Sequence, residues 1–194
     1  MVNCECQRGS GSQLTIHNSQ LTLFQALDLP LMDVWLLRHA AAGERAASGR
    51  DQDRELTAEG LARARAVARG LAALEPGILR IWTSPFLRAR QTAEPVAESL
   101  RLSERLAVCR ALEPGRDPQE VLLELEAEDC ASVLLVGHEP NLGALLGRLV
   151  TGDAGVAIPL KKAGVARVEW EGGVGTLRAL LPGKVLERLA RGKG

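Results

Sequence analysis

Two of the chain's 3 histidines each follow an apolar segment, and the two segments lie far apart in the sequence. The first segment reads Leu36-Leu37-Arg38-His39 and the second Leu134-Leu135-Val136-Gly137-His138. Histidine can act as a nucleophile, an acid or a base near neutral pH without a large pKa shift. Open α/β folds build their sites at the carboxyl ends of parallel strands. The pair therefore predicts one shared site rather than two buried structural histidines.

Another polar segment, Thr83-Ser84-Pro85, follows a predicted strand and precedes Arg88. Serine is a favoured N-cap and proline a favoured first helical residue, so Ser84 is expected to cap a helix here. Helical side chains tilt toward the helix N-terminus, which would bring Arg88 over the strand end toward His39. Arg38, Arg88, the two histidines and the free N–H groups of the helix would together suit a phosphoryl dianion.

Strand-like and helix-like segments alternate from Met32 onward and must position these residues. The apolar segment 132–136 is typical of a strand buried on both faces of a parallel sheet, and the segments on either side of Glu171-Gly172-Gly173 predict a closing hairpin. The alternation predicts an α/β fold, a three-layer sandwich with a mainly parallel central sheet flanked by helices. The predicted strands are 34–37, 78–82, 106–109, 132–136, 165–170 and 176–181, and the predicted helices are 57–74, 84–100, 118–126 and 140–150.

The first 31 residues differ from the rest of the 194-residue chain. Their only charged residues are Glu5, Arg8 and Asp28, and they show no clear hydrophobic period. We predict that residues 1–31 are a disordered or misassigned extension before a single catalytic domain over residues 32–194. A short regulatory or targeting arm is the alternative.

The composition is that of an ordinary globular protein, with 46% hydrophobic and 25% charged residues. A formal net charge of zero argues against nucleic acid as a partner, and the sequence has no apolar run long enough to predict a membrane span. Four cysteines, Cys4, Cys6, Cys109 and Cys130, lack the spacing of a disulfide framework or a zinc site. We therefore expect free thiols in a cytoplasmic protein that binds no metal.

Four ordered motifs between Met32 and about Leu181 resemble those of the histidine phosphatase superfamily, the phosphoglycerate mutase-like proteins. Arg38-His39-Ala40 resembles the family's Arg-His-Gly motif, with alanine in place of glycine. The stretch from Asp53 to Gly60 resembles Asp-x-x-Arg-x-Leu-Thr-x-x-Gly, and the stretch from Ser84 to Thr92 matches Ser-Pro-x-x-Arg-Ala-x-Gln-Thr. Gly137-His138-Glu139-Pro140 resembles the second-histidine motif.

The chain lacks the large insertion that mutases carry between the arginine of the third motif and the second histidine. It is in this respect similar to the compact SixA-type phosphohistidine phosphatases. The resemblance implies that His39 is the nucleophile and forms a transient phosphohistidine. It implies that Arg38 and Arg88 bind the phosphoryl oxygens, that His138 donates a hydrogen bond to the same group, and that no cofactor is needed. The methyl group of Ala40 is expected to fit.

Larger members of the superfamily use a carboxylate to protonate the leaving group. Glu113 is the candidate for that acid here, with Asp117 and Glu139 as alternatives, although each also suits a solvated loop. An imidazole expelled from phosphorus needs less help from an acid than an alkoxide does. The sequence therefore favours a phosphatase that acts on a phosphorylated protein of the histidine phosphotransfer type. A phosphomonoesterase acting on a small phosphorylated metabolite and a non-catalytic phosphate-binding module are the alternatives.

Overall fold

In a computed structural model, which describes residues 31–192, helices cover both faces of a six-stranded sheet. The strands are β1 (Met32–Arg38), β2 (Arg80–Thr83), β3 (Leu106–Val108), β4 (Ser132–Gly137), β5 (Val165–Trp170) and β6 (Thr176–Leu181), in the spatial order β3-β2-β4-β1-β5-β6. The helices are α1 (Ala58–Ala72), α2 (Leu87–Leu100), α3 (Pro118–Glu126), α4 (Asn141–Thr151) and α5 (Gly183–Leu189).

The sheet is mixed, so the expectation of a mainly parallel sheet is wrong in this detail. Strands β1 to β4 run parallel to their neighbours among themselves, whereas β5 runs antiparallel to β1, and β6 to β5. Loop 152–164 explains the change of direction. It returns the chain to the carboxyl end of β1, where the amide of Ala163 donates to the carbonyl of Arg38 at 3.1 Å. Because β5 begins at that end, it can only run antiparallel to β1.

Two apolar clusters, one on each face of the sheet, hold the layers together. Leu36 and Leu135 belong to the cluster beneath α3 and α4, whereas Leu37 and Leu134 belong to the cluster beneath α1, α2 and α5. Successive strand residues point to opposite faces, so a strand covered on both sides must be apolar throughout. β4 is buried at every residue, as its sequence predicts.

Helices α1 and α2 begin differently. The hydroxyl of Thr57 caps α1 by accepting a hydrogen bond from the amide of Gly60 at 3.0 Å. The prediction that Ser84 caps the next helix is wrong, since α2 begins at Leu87 with Phe86 at the N-cap position. The hydroxyl of Ser84 instead lies 2.9 Å from the ring of His138. A buried imidazole needs a polar partner, and that need takes precedence over the local capping rule.

Residues 1–30 lie outside the described part of the chain, and with them nearly all of the predicted extension, so the division at residue 32 stays a prediction. Within residues 31–192, no helix has both the length and the apolar composition needed to cross a bilayer. Cys109 and Cys130 are free thiols. Cys4 and Cys6 fall outside the described residues.

Candidate active site

The two histidines leave the sheet side by side because β1 and β4 are hydrogen-bonded neighbours. Arg38 pairs with Gly137 in the parallel register, and the amide of His39 donates to the carbonyl of Gly137 at 3.0 Å. The ring centroids of His39 and His138 are 5.0 Å apart, and both side chains are buried. The sheet thus brings together the two residues that the sequence predicts to share a pocket.

The carbonyl of Ala40 determines which nitrogen of His39 is free. His39 Nδ1 lies 2.7 Å from that carbonyl oxygen. A carbonyl can only accept a hydrogen bond, so Nδ1 must carry the ring proton and donate it. In a neutral ring, Nε2 then keeps its lone pair. This arrangement leaves Nε2 able to act as a nucleophile.

The surroundings of both histidines keep them neutral. The pKa of His39 is lowered to about 4, chiefly by burial and also by the charges of Arg88, Arg38 and Lys162, while the hydrogen bond to Ala40 acts in the opposite direction. The pKa of His138 is lowered to about 3, chiefly by burial, with His39, Arg88 and Arg38 contributing in the same direction and Asp51 in the opposite one. Near neutral pH the nucleophilic lone pair is therefore not blocked by a proton.

Arg38 is a cation without a carboxylate partner among the described residues. One terminal nitrogen donates to the carbonyl of Leu160 at 2.8 Å, and Nε is buried with no partner within residues 31–192. The carboxylate of Glu139 accepts from the amide of Leu160 at 2.8 Å and so fixes the loop that holds Arg38. The guanidinium is anchored on one side and keeps donors for an anion.

Arg88 reaches the site from the first turn of α2 and is also buried. Its two terminal nitrogens donate to Asp51, one to the main-chain carbonyl at 2.8 Å and the other to the carboxylate at 3.0 Å. Its guanidinium carbon lies 5.0 Å from the centroid of the Phe86 ring, a cation–π distance. These three contacts hold the guanidinium where its charge lowers the pKa values of both histidines.

His138 is held by Ser84 and Phe86. Its Nε2 lies 2.9 Å from the Ser84 hydroxyl oxygen, which also accepts a hydrogen bond from the amide of Phe86 at 3.3 Å. The Phe86 ring packs edge-on against the imidazole at 5.3 Å between centroids. Nδ1 of His138 is buried and has no partner in the described part of the chain. His138 therefore retains unused hydrogen-bonding capacity.

Thr92 supports the segment that carries His39. Its hydroxyl donates to the carbonyl of Arg88 at 2.7 Å and accepts from the amide of Ala40 at 3.1 Å. Ala40 is fully buried, and its φ is not positive, so its methyl group packs without backbone strain. The substitution of alanine for the motif glycine is thus accommodated, as the sequence predicts.

Asp51 is the site residue that the sequence analysis missed. Assigning the acidic position of the second motif to Asp53 was wrong. Asp53 forms no hydrogen bond to Arg88 and instead binds Ser48 and Arg50. The spacing Asp-x-x-Arg fits Asp51 and Arg54, and the Arg54 guanidinium donates to the Asp51 carboxylate at 2.6 Å. The hydrogen bonds from Arg54 and Arg88 lower the pKa of Asp51, which makes it an anchor for Arg88 and a poor proton donor.

The three candidate acids have different surroundings. Asp117 is the N-cap of α3 and accepts from the amide of Gln119 at 2.9 Å, and Glu139 binds Leu160 as described. Glu113 lines an open cleft of about 500 Å³, here called the Phe86 cleft, together with Gln52, Asp53, Pro85, Phe86, Leu87, Arg90 and Arg110. Of the three, Glu113 is the carboxylate that borders a space next to the site.

No group of three or more His, Cys, Asp or Glu side chains gathers within residues 31–192 in a way that could hold a metal ion.

Two neutral histidines and two buried or anchored arginines lie at the carboxyl ends of parallel strands. This arrangement is typical of an α/β protein that binds or transfers phosphoryl groups. Comparisons with known proteins define the class further. The sequence model of a protein family, the histidine phosphatase superfamily (branch 1), matches residues 34–112. Phosphohistidine phosphatase SixA of Escherichia coli K12 is 34% identical over 151 residues, which cover 72% of this chain and 92% of that protein.

Two further similarities extend over most of the described residues. An uncharacterized protein of Picosynechococcus is 39% identical over 137 residues, 69% of this chain and 82% of that protein. The structure of SixA complexed with tungstate is 34% identical, with a TM-score of 0.73, and covers 80% of this chain and 99% of that chain. The protein therefore belongs to the histidine phosphatase superfamily. It is an α/β phosphatase of that superfamily, which confirms the predicted family and fold class.

Proposed function

We propose that the protein is a phosphohistidine phosphatase that removes the phosphoryl group from a histidine of another protein. The observation that carries the proposal is the state of His39. Its Nδ1 proton is held by the carbonyl of Ala40 at 2.7 Å, and its Nε2 is neutral and unprotonated. A buried histidine fixed in this tautomer is suited to attack phosphorus.

In the proposed reaction, the lone pair of His39 Nε2 forms a bond to phosphorus as the bond from phosphorus to the substrate imidazole breaks. The departing imidazole takes up a proton from solvent water and leaves neutral. Water then attacks the phosphorus of the intermediate, the bond to Nε2 breaks, and inorganic phosphate leaves. Arg38 and Arg88 bind the oxygens that carry the developing charge, and His138 donates a hydrogen bond to the same group.

The relatives support this substrate class. SixA of Escherichia coli bears the name of a phosphohistidine phosphatase, and the SixA structure contains tungstate, a tetrahedral oxyanion like phosphate. Two arginines and two histidines at the carboxyl ends of the strands suit such an anion here.

We further propose that the reaction needs no metal and that the protein is cytoplasmic. The free thiols of Cys109 and Cys130 support the second point.

The alternative is a phosphomonoesterase acting on a small phosphorylated metabolite. Glu113 favours it, because this half-buried carboxylate lines the Phe86 cleft and could protonate an alkoxide leaving group. A non-catalytic phosphate-binding module has less support, because binding alone does not require a neutral nucleophile fixed in one tautomer.

Phosphate release by the purified protein tests the proposal. The substrates are a phosphohistidine peptide and p-nitrophenyl phosphate, each with a chelator and without added metal. We expect a kcat/KM for the peptide well above that for the ester, and no turnover by His39→Ala. A preference for the ester that Glu113→Gln removes would establish the alternative. Unchanged turnover by His39→Ala would exclude His39 as the nucleophile.

A further inference from the structure

The chain uses lysine sparingly and places it unevenly. Of its 24 basic residues, 20 are arginine and 4 are lysine. Lys161, Lys162 and Lys184 line a single cleft of about 410 Å³, here called the lysine cleft, and Arg38 of the site lies in its wall. The remaining lining residues are Arg63, Pro182 and Gly183. The lining contains five cations and no acidic side chain.

The fold brings these lysines together through two segments in backbone contact. Lys161 and Lys162 follow Leu160, whose carbonyl holds Arg38. Lys184 lies in α5, next to Gly183. A Cβ atom on Gly183 would lie 2.7 Å from the carbonyl oxygen of Ala163, so only glycine allows this close approach of the two segments. The close contact at Gly183 therefore fixes the two segments that carry the lysines, and the lysine cleft adjoins the site through Arg38.

The charges of the lysines are not balanced locally. Arg63 is paired, with Glu187 at 2.7 Å and Glu59 at 3.5 Å. None of the three lysines forms an ion pair within the described part of the chain, and all three are exposed. The chain as a whole has a formal net charge of zero, so this concentration of charge is local. The charge of Lys162 also reaches the site, where it lowers the pKa of His39.

We propose that the lysine cleft docks an acidic surface of the phosphorylated protein substrate, one whose Asp or Glu side chains flank the phosphohistidine. The inference rests on the proposed function and specifies which phosphohistidine proteins the site accepts. Small-ligand pockets carry a few precisely placed polar groups, whereas this cleft is lined by five cationic side chains. Lysine is a flexible, strongly hydrated point charge, which suits carboxylates that approach in solvent. Unpaired charges of one sign beside a site accelerate association with an oppositely charged partner.

Two matched phosphohistidine peptides test the inference. One peptide carries four glutamates around the phosphohistidine, and the other carries four glutamines at the same positions. The ester p-nitrophenyl phosphate is the third substrate, because it has no residues that flank the phosphoryl group. The variant is Lys161→Gln with Lys184→Gln, which leaves Lys162 in place near His39. The control is Arg65→Gln with Arg69→Gln, which removes the same charge from exposed positions of α1 that do not line the lysine cleft.

We expect the wild-type protein to prefer the acidic peptide. The lysine variant should lose about three- to tenfold in kcat/KM for that peptide, through KM and in a salt-dependent way. It should retain its activity on the neutral peptide and on the ester, and the arginine control should retain all three activities. Equal kcat/KM for the two peptides, or equal losses in the two variants, would overturn the inference and leave the proposed function intact. An equal loss on the ester would show that the lysines act on the phosphoryl group itself and would also overturn it. Hydrolysis of the ester alone would overturn the proposed function, and the docking inference with it.

Discussion

At the scale of the residue, the site depends on groups that touch no substrate in the proposed reaction. The main-chain carbonyl of Ala40 selects the tautomer of His39, and Ser84 holds one nitrogen of His138. Asp51 holds Arg88 through both its carbonyl and its carboxylate. Each of these contacts restricts the orientation of a proposed catalytic group, and such positioning contributes to the rate of a reaction.

Asp51→Ala is expected to lower kcat/KM about tenfold, because Arg88 loses one of its two hydrogen-bonded anchors and misorientation of a catalytic group is costly. Stability should also fall, because the Asp51 side chain is 55% exposed but its partner Arg88 is buried and loses its carboxylate. Steady-state kinetics and thermal unfolding measure the two effects. Asp53→Ala is the matched control, because Asp53 lies two positions away and does not contact Arg88. Equal losses in the two variants would contradict the positioning role of Asp51.

Ser84→Ala is expected to destabilise the fold by about 1–3 kcal/mol and to lower kcat. It leaves the Nε2 of a buried imidazole without a partner. Ser132→Ala is the control, because the hydroxyl of this buried serine has no partner in the described residues and its removal should cost nothing. Urea unfolding and phosphate release measure the two effects. Similar free energies of unfolding for the two variants would mean that the contact between Ser84 and His138 does not stabilise the protein.

At the scale of the element, α1 must lie close to the segment that follows His39. The amide of Thr57 donates to the carbonyl of Ala41 at 3.0 Å, and a Cβ atom on Gly60 would lie 1.9 Å from the same carbonyl oxygen. Near its other end, α1 meets α5 just as closely, since a Cβ atom on Gly70 would lie 1.9 Å from the carbonyl oxygen of Leu186. The motif glycine at position 60 therefore allows a helix to pack against the backbone of the site.

Gly60→Ala and Gly70→Ala should both destabilise the protein by about 1–3 kcal/mol, because each added methyl group forces two backbones apart. Only Gly60→Ala should also lower kcat, since only that clash displaces Ala41 and the neighbouring Arg38-His39-Ala40 segment. Activity at a temperature well below both unfolding transitions separates the two effects. A full kcat for Gly60→Ala under those conditions would contradict the coupling between α1 and the site.

The sequence predicts most elements well, and the errors have physical causes. The bounds of α3, β5 and β6 agree with the structure because clear turn and cap residues flank them. The prediction for Ser84 fails because a local capping rule cannot include a partner as distant in sequence as His138. The direction of β5 depends on where loop 152–164 ends, and hydrophobic patterns carry no such information. The motif comparison selects Asp53 instead of Asp51 because the two aspartates lie close together and only the spacing to Arg54 distinguishes them.

At the scale of the whole molecule, stability depends on keeping two imidazoles neutral inside the fold. The pKa values of His39 and His138, about 4 and about 3, lie below the ordinary value of 6.5. Above pH 6.5 neither the folded nor the unfolded chain protonates these residues. Below that pH the unfolded chain binds protons that the folded chain does not. The contribution of both groups to stability is therefore present above pH 6.5 and is lost as the pH falls toward 4 and then 3.

We expect the free energy of unfolding, measured in urea, to decrease steadily between pH 6.5 and pH 4. Replacing His39 or His138 with glutamine should reduce the slope of this decrease, because glutamine takes up no proton in the unfolded state. The variant has a different stability at pH 7, so the slopes and not the absolute values are compared. Equal slopes in wild type and in both variants would contradict the neutral, buried state of the two imidazoles.

The position of β1 in the sheet also affects how the protein is made. β1 is the first strand in the described sequence, yet its two neighbours are β4 and β5, which follow much later. A ribosome must therefore add residues 132–137 before this apolar strand has any partner in the sheet. Until then the nascent chain exposes an unpaired edge of the kind that promotes aggregation. The pairing of β1 with β4 is also the one that brings His39 and His138 together, so the site cannot form until residue 138 has been synthesised.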